Sequence, residues 1–232
     1  DRGRPHAGGN GTACGIPPEE SRPIIGVAIM ILLTATKVVP SSNIASYSVF
    51  VGIAFFFIVE AVSKTPNAES GLRFNTIVED IKKPGVIAWA LVPCFSGIVT
   101  IVVGNLIFSG EFVDHVLGRT SSILSFDKTL LLIIQFILAG FGEEIALRGF
   151  FFGETSKLFP AWICAVVSSI IFAAGHIAPG NVGVVIFDIS NVFIDSLIFS
   201  MIYHKSGNCV ISTFSHILGN VISFIVLFGF FR

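Results

Sequence analysis

The chain has 232 residues, 53% of them hydrophobic and 12% charged, with a mean hydropathy of +0.87 and a formal net charge of −1. Soluble domains carry about 25% charged residues, so this composition excludes an ordinary soluble fold and points to a polytopic membrane protein. With no basic stripe to neutralise phosphates, a nucleic-acid partner is excluded as well.

In chain order, residues 1–23 are rich in Gly, Pro and Arg and lack the apolar core of a signal peptide. They read as a polar, disordered leader or a fragment edge outside the fold. A membrane span needs about 17 to 25 mostly apolar residues, and seven runs read as spans, the first and fifth a residue short of that range: Ile24 to Val39, Ile44 to Val62, Gly85 to Phe108, Thr129 to Phe152, Ala161 to His176, Val182 to Tyr203 and Cys209 to Phe231. An eighth crossing or a re-entrant segment fits in Gly110 to Ser125. Because backbone in lipid must satisfy its own hydrogen bonds, the expected fold is an all-α transmembrane bundle of seven to eight spans. Polar turns separate the runs, and the longest loop carries Lys64, Arg73, Lys82 and Lys83. Lys and Arg accumulate in cytoplasmic loops, so this loop and the N-terminus are expected inside. Cys14, Cys94, Cys164 and Cys209 show no C-x-x-C spacing, and three of them lie in apolar runs as packing residues.

The fourth run holds Glu143, Glu144 and Arg148. Ionisable groups at membrane depth are costly and mark function by default. Glu144 and Arg148 stand at i and i+4 on one helical face, in the favourable order of acid before base, and can neutralise each other. Glu143 is about 100° further round with Leu147 four residues on, which leaves it the carboxylate free for chemistry. The fifth run ends with Phe172 and His176 at i and i+4, the seventh holds His216 and Asn220 at the same spacing, and the sixth carries the stripe Asp188, Asn191, Asp195. That stripe lines a water path or locks helices together; the pattern serves either.

Helix arithmetic offers a check. If the fourth and fifth runs form a hairpin turning near Phe159 and Pro160, Glu143 and His176 are level, about 25 Å from the turn. His216 is only about 15 Å above a turn at Ser206, so the hairpin end from Glu154 to Phe159 must project about 10 Å beyond its neighbour for the three to meet.

E-E-x-x-x-R at Glu143, Glu144 and Arg148, F-x-x-x-H at Phe172 and His176, and H-x-x-x-N at His216 and Asn220, in that order, resemble the CPBP family of CAAX prenyl proteases type II and Abi bacteriocin-processing and immunity proteins. The resemblance covers Thr129 to Phe231, so residues 129–232 read as a CPBP-like catalytic core and 24–128 as N-terminal helices and loops. It implies an intramembrane endopeptidase in which Glu143 activates water, His176, His216 and Asn220 complete the catalytic set, and Glu144, Arg148 and Phe172 support it. The substrate it implies is a membrane-associated protein or peptide, with a prenylated CAAX end as one form, beside membrane lipid as the other partner. Family members have been described both as metalloproteases and as metal-independent glutamate proteases. A zinc held by Glu143, His176 and His216 would leave only the already paired Glu144 as base, which favours the reading with no cofactor. The location expected is an integral membrane one, plasma membrane in a prokaryote or endoplasmic reticulum in a eukaryote. Two other classes compete: a proton- or ion-coupled transporter, which lacks the expected inverted repeats, and a non-catalytic immunity or scaffold protein of the same fold.

Overall fold

The structure is a computed structural model that describes residues 18–38, 44–62, 71–121 and 128–231. Among these the regular elements are all helical: α1 (Pro18–Ala35), α2 (Tyr47–Val62), the single turn α3 (Ile77–Asp80), α4 (Val86–Phe108), α5 (Glu111–Thr120), α6 (Thr129–Glu144), α7 (Gly153–Thr155), α8 (Ala161–Gly175), α9 (Val182–Ser206) and α10 (Cys209–Phe230), with short 3-10 turns around residues 36–38 and 44–46. A π-helical stretch, Ile145–Phe152, joins α6 to α7 in one rod. Large apolar side chains such as Phe95, Leu106, Leu130, Leu138 and Phe230 point outward, as a surface solvated by lipid rather than water requires.

Among the described residues, five helical segments are long and apolar enough to cross a membrane: Ile44–Val62, Val86–Phe108, Leu130–Thr155, Val182–Ser206 and Cys209–Phe230. Two of the expected spans are shorter, Pro23–Ala35 and Ala161–Gly175. The latter reaches about 22 Å against a hydrocarbon core of about 30 Å. The eighth crossing is replaced by α5, a ten-residue amphipathic helix whose Phe112, Val113 and Leu117 are buried and whose Glu111 and Asp114 face outward. Charges on one face of ten residues make α5 a helix that lies against the bundle, packed on α4 and α9, rather than one that spans. Helix α1 begins at Pro18, inside the stretch expected to be disordered, while residues 1–17 of that stretch lie outside the described residues. The buried thiols Cys94, Cys164 and Cys209 are free and serve as packing groups.

Small residues turn the last helix. Ser215 Oγ donates to the Ala90 carbonyl at 2.6 Å, and Ser223 meets Gly97 one further step along. Between them Gly219 lies so close to Pro93 of α4 that a Cβ there would stand 3.2 Å from the proline ring. Residues 215, 219 and 223 thus form a small-residue seam that draws α10 onto α4, the close approach that membrane helices use where no hydrophobic drive exists. His216 and Asn220, one residue on, are rotated by about 100° away from that seam, toward α6 and α9.

Arg73 and Lys83, expected on the cytoplasmic side, lie with Lys205 at one end of the bundle, around the turn between α9 and α10. Asp80 is the hub there. Its carboxylate accepts from Thr76 (2.7 Å), Asn208 (2.9 Å) and Arg73 (3.1 Å) and pairs with Lys83 at 2.7 Å. Arg73 and Lys83 also donate to the carbonyls of Gly207 and Ser206 (2.9 and 2.5 Å), and Asn208 caps α10 through Val210. Gly207 adopts φ 68°, a conformation that costs glycine little. At the same end Phe152 packs edge-on against Tyr203 at 5.5 Å, and the segment that follows carries the Glu154–Lys157 ion pair.

Burial pushes the Asp80 carboxyl up, but the donors from Lys83, Thr76 and Asn208 and the Arg73 charge outweigh it and hold the pKa at about 2. A depressed pKa stabilises the fold above the ordinary value of 3.8, and that contribution is lost as pH falls from there through about 2. Chemical denaturation of the detergent-solubilised protein should therefore report an Asp80→Ala variant about 2 kcal/mol less stable at pH 7, with the gap to wild type closing as pH is lowered from about 4 toward 2.

Candidate active site

The acid pair sits where α6 passes into the π-helical stretch. A π turn widens the helix and recurs at functional sites; here all eight of its residues are buried, against α2, α6 and α8. Glu144 and Arg148 are fully buried and meet at 3.1 Å, Nη1 to Oε1. Arg148 Nη2 also donates to the Ser196 hydroxyl (2.6 Å) and carbonyl (2.7 Å) of α9. Its guanidinium lies 5.4 Å from the ring centroids of both Phe172 and Phe199, a sandwich that adds cation–π attraction where water is absent. The pair expected from the i, i+4 spacing is thus present, with α9 as its outer support.

His216 bridges the two carboxylates. Its Nδ1 lies 3.1 Å from Glu144 Oε1 and its Nε2 3.7 Å from Glu143 Oε2. The ring is stacked on Phe199 (centroids 4.4 Å apart, 18° between planes) and meets the edge of Phe172 at 5.9 Å. Because Glu144 Oε1 also accepts from Arg148, it is an ionised acceptor, and the proton between it and His216 belongs to Nδ1. Nε2 therefore presents a lone pair toward Glu143 when the imidazole is neutral. Glu143 keeps 23% of its side-chain surface exposed while Glu144 keeps none, so only the former is open to a reactant.

His176 caps α8, with its ring 4.4 Å from Phe172 and its Nδ1 2.8 Å from the Phe172 carbonyl. A carbonyl only accepts, so Nδ1 carries the proton here too and Nε2 is left available. Phe172 is thus the wall shared by both imidazoles. Asn220 stands one turn beyond His216 on the same face, half-buried. Among the described residues no group of three or more His, Cys, Asp or Glu side chains is arranged to hold a metal ion.

The α9 stripe joins helices rather than lining a path. Asp188 pairs with Arg119 and His115 of α5, Asn191 with Thr100 of α4, and Asp195 with Ser96 of α4. Ser196 and Phe199 were not singled out by the sequence, although Phe199 continues that stripe by one turn, and nothing in the residue pattern announces the π-helical stretch.

The fold and the site define a helical membrane protein with a buried acid–imidazole centre. Residues 125–222 match the family model described as type II CAAX prenyl endopeptidase, Rce1-like. The matched segment carries the acid pair and both imidazoles, and the match supports a place in the CPBP/CAAX protease family. No curated protein and no solved structure matches the chain.

Removing the guanidinium strands a buried carboxylate. An Arg148→Met variant is expected to lose about 3 to 5 kcal/mol of stability, whereas Glu143→Gln, at the half-open position, should stay within about 1 kcal/mol of wild type; thermal unfolding in detergent compares the two.

Proposed function

We propose that this protein is an endopeptidase that cuts a peptide bond near the end of a membrane-associated protein or peptide, with Glu143 as general base on water. The observation that carries this reading is the orientation of His216, held by Glu144 on one side and facing Glu143 on the other. A water between them donates one O–H to Glu143 and the other to His216 Nε2, which leaves its own lone pairs aimed outward at a carbonyl carbon. As the oxygen attacks, Glu143 takes the proton. The amide of Asn220 is the donor for the oxyanion, a role worth about 3 to 4 kcal/mol in other enzymes. The proton on Glu143 then passes to the leaving nitrogen, directly or through His176 Nε2, as the C–N bond breaks.

Glu144 and Arg148 take no proton in this scheme. They fix the tautomer of His216, and Phe172 and Phe199 fix its plane. The reaction needs no metal as written, because Glu143 is used as base. The half-exposed Glu143 beside a fully buried neighbour supports a site reached from one side only. A prenylated CAAX end is one substrate consistent with the family; an unprenylated membrane peptide is the other.

The test is a peptidase assay on purified protein with prenylated and unprenylated peptides. Glu143→Gln and His216→Ala should each lower kcat by about a thousandfold or more while the protein still inserts and unfolds cooperatively. Asn220→Ala should cost about a hundredfold, and a chelator should leave the rate unchanged. Full activity in Glu143→Gln, or loss of activity with chelator alone, would overturn the scheme.

A further inference from the structure

A second polar cluster lies on the side of the site away from the basic end. Arg119 and His115, one turn apart on α5, converge on the single carboxylate of Asp188 of α9. All three side chains are largely buried. The contacts are close but poorly directed. Arg119 Nη2 donates to Asp188 Oδ1 at 3.2 Å, whereas Arg119 Nε (3.0 Å) and His115 Nε2 (3.4 Å) face Asp188 Oδ2 without forming hydrogen bonds. The guanidinium thus makes one directed bond with its five N–H groups among the described residues, and two groups able to carry positive charge share one acid.

The position of this cluster relative to the reacting groups follows from α9. Phe199, which stacks on His216, and Asp188 are eleven residues apart on that helix, about 16 Å along its axis. Part of that distance is taken by the catalytic side chains and the scissile bond, and the rest is the reach of three to four extended residues at about 3.3 to 3.6 Å each. Arg119 also bears electrostatically on both Glu143 and His176, and eleven residues at 100° each return Asp188 to within about 20° of Phe199, so the cluster stands on the same face of α9 as the ring under His216. A substrate's terminal carboxylate brought toward Glu143 would be repelled unless a cation received it, and the planar fork of Arg suits a carboxylate in two-point contact.

Resting on the peptidase reading, we infer that Arg119, held ready by Asp188, binds the free C-terminal carboxylate of the substrate and so sets how far from the chain end the cut falls. His115 faces the same Asp188 carboxylate from one turn away, with its ring close to Gly180. The role is in specificity, and the chemical step is carried by the groups around Glu143.

One peptide, made once with a C-terminal acid and once with a C-terminal amide, tests this on the purified full chain. Wild type should show a KM about tenfold or more lower for the acid, since an unmet charged partner is a strong discriminator. Arg119→Gln should raise the acid's KM to the amide's value with little change in kcat, and Arg119→Lys should recover part of the difference. Unchanged turnover of the amide by Arg119→Gln reports that the variant is folded. Equal treatment of acid and amide by wild type, or an equal loss on both in Arg119→Gln, would show α5 to be a structural strap and overturn the inference alone. Cleavage of neither peptide by wild type would overturn the peptidase reading and this inference with it.

Discussion

The arrangement depends on a charged pair kept entirely out of water. Glu144 and Arg148 have no solvent exposure, so each must find its compensation inside the protein, and the guanidinium does so through Ser196 and two aromatic faces. Burying such a pair gains little net stability compared with an apolar substitute. Its use lies in commitment: with Arg148 on one side, Glu144 remains an acceptor and can dictate where the proton on His216 resides. Glu143, adjacent in sequence but rotated out of the pair, is then confronted by the opposite edge of the same imidazole.

Each helix contributes one constraint to that geometry. The small-residue seam on α10 presses it against α4 and leaves His216 and Asn220 facing inward. Helix α9 supplies the ledge for Arg148 and the ring under His216. The π-helical stretch carries Arg148 and the packed aromatic residues Phe150 and Phe151. At one end of the bundle the Asp80 knot ties the loop before α4 to the turn before α10, which fixes the position of α10 along its axis and with it the height of His216. A displacement of one turn along α10 would move the imidazole by about 5.4 Å and uncouple it from both acids.

Much of this was legible in the residues. The i, i+4 spacing announced the Glu144–Arg148 pair, and the hydropathy runs announced the helices. What was not legible has physical reasons. Run length alone does not decide whether a short apolar stretch crosses the membrane, as with the 15-residue α8. A π turn leaves no periodic signature because its eight residues are buried all round. The i, i+3, i+7 pattern of Asp188, Asn191 and Asp195 marks a polar face without saying whether water or another helix meets it, and only the partners Arg119, Thr100 and Ser96 decide that. Ser196 and Phe199 act through ordinary hydrogen bonding and stacking, which no motif records.

The central claim is that a buried, ionised Glu144 holds the proton of His216 on Nδ1 and turns Nε2 toward Glu143. Side-chain nitrogen NMR of the purified protein, with histidine labelled at both ring nitrogens and His216 assigned by its loss in His216→Gln, reads that proton directly. The account predicts a protonated Nδ1 at neutral pH, a state that Glu144→Gln should disturb. A His216 ring protonated at Nε2 alone would contradict it.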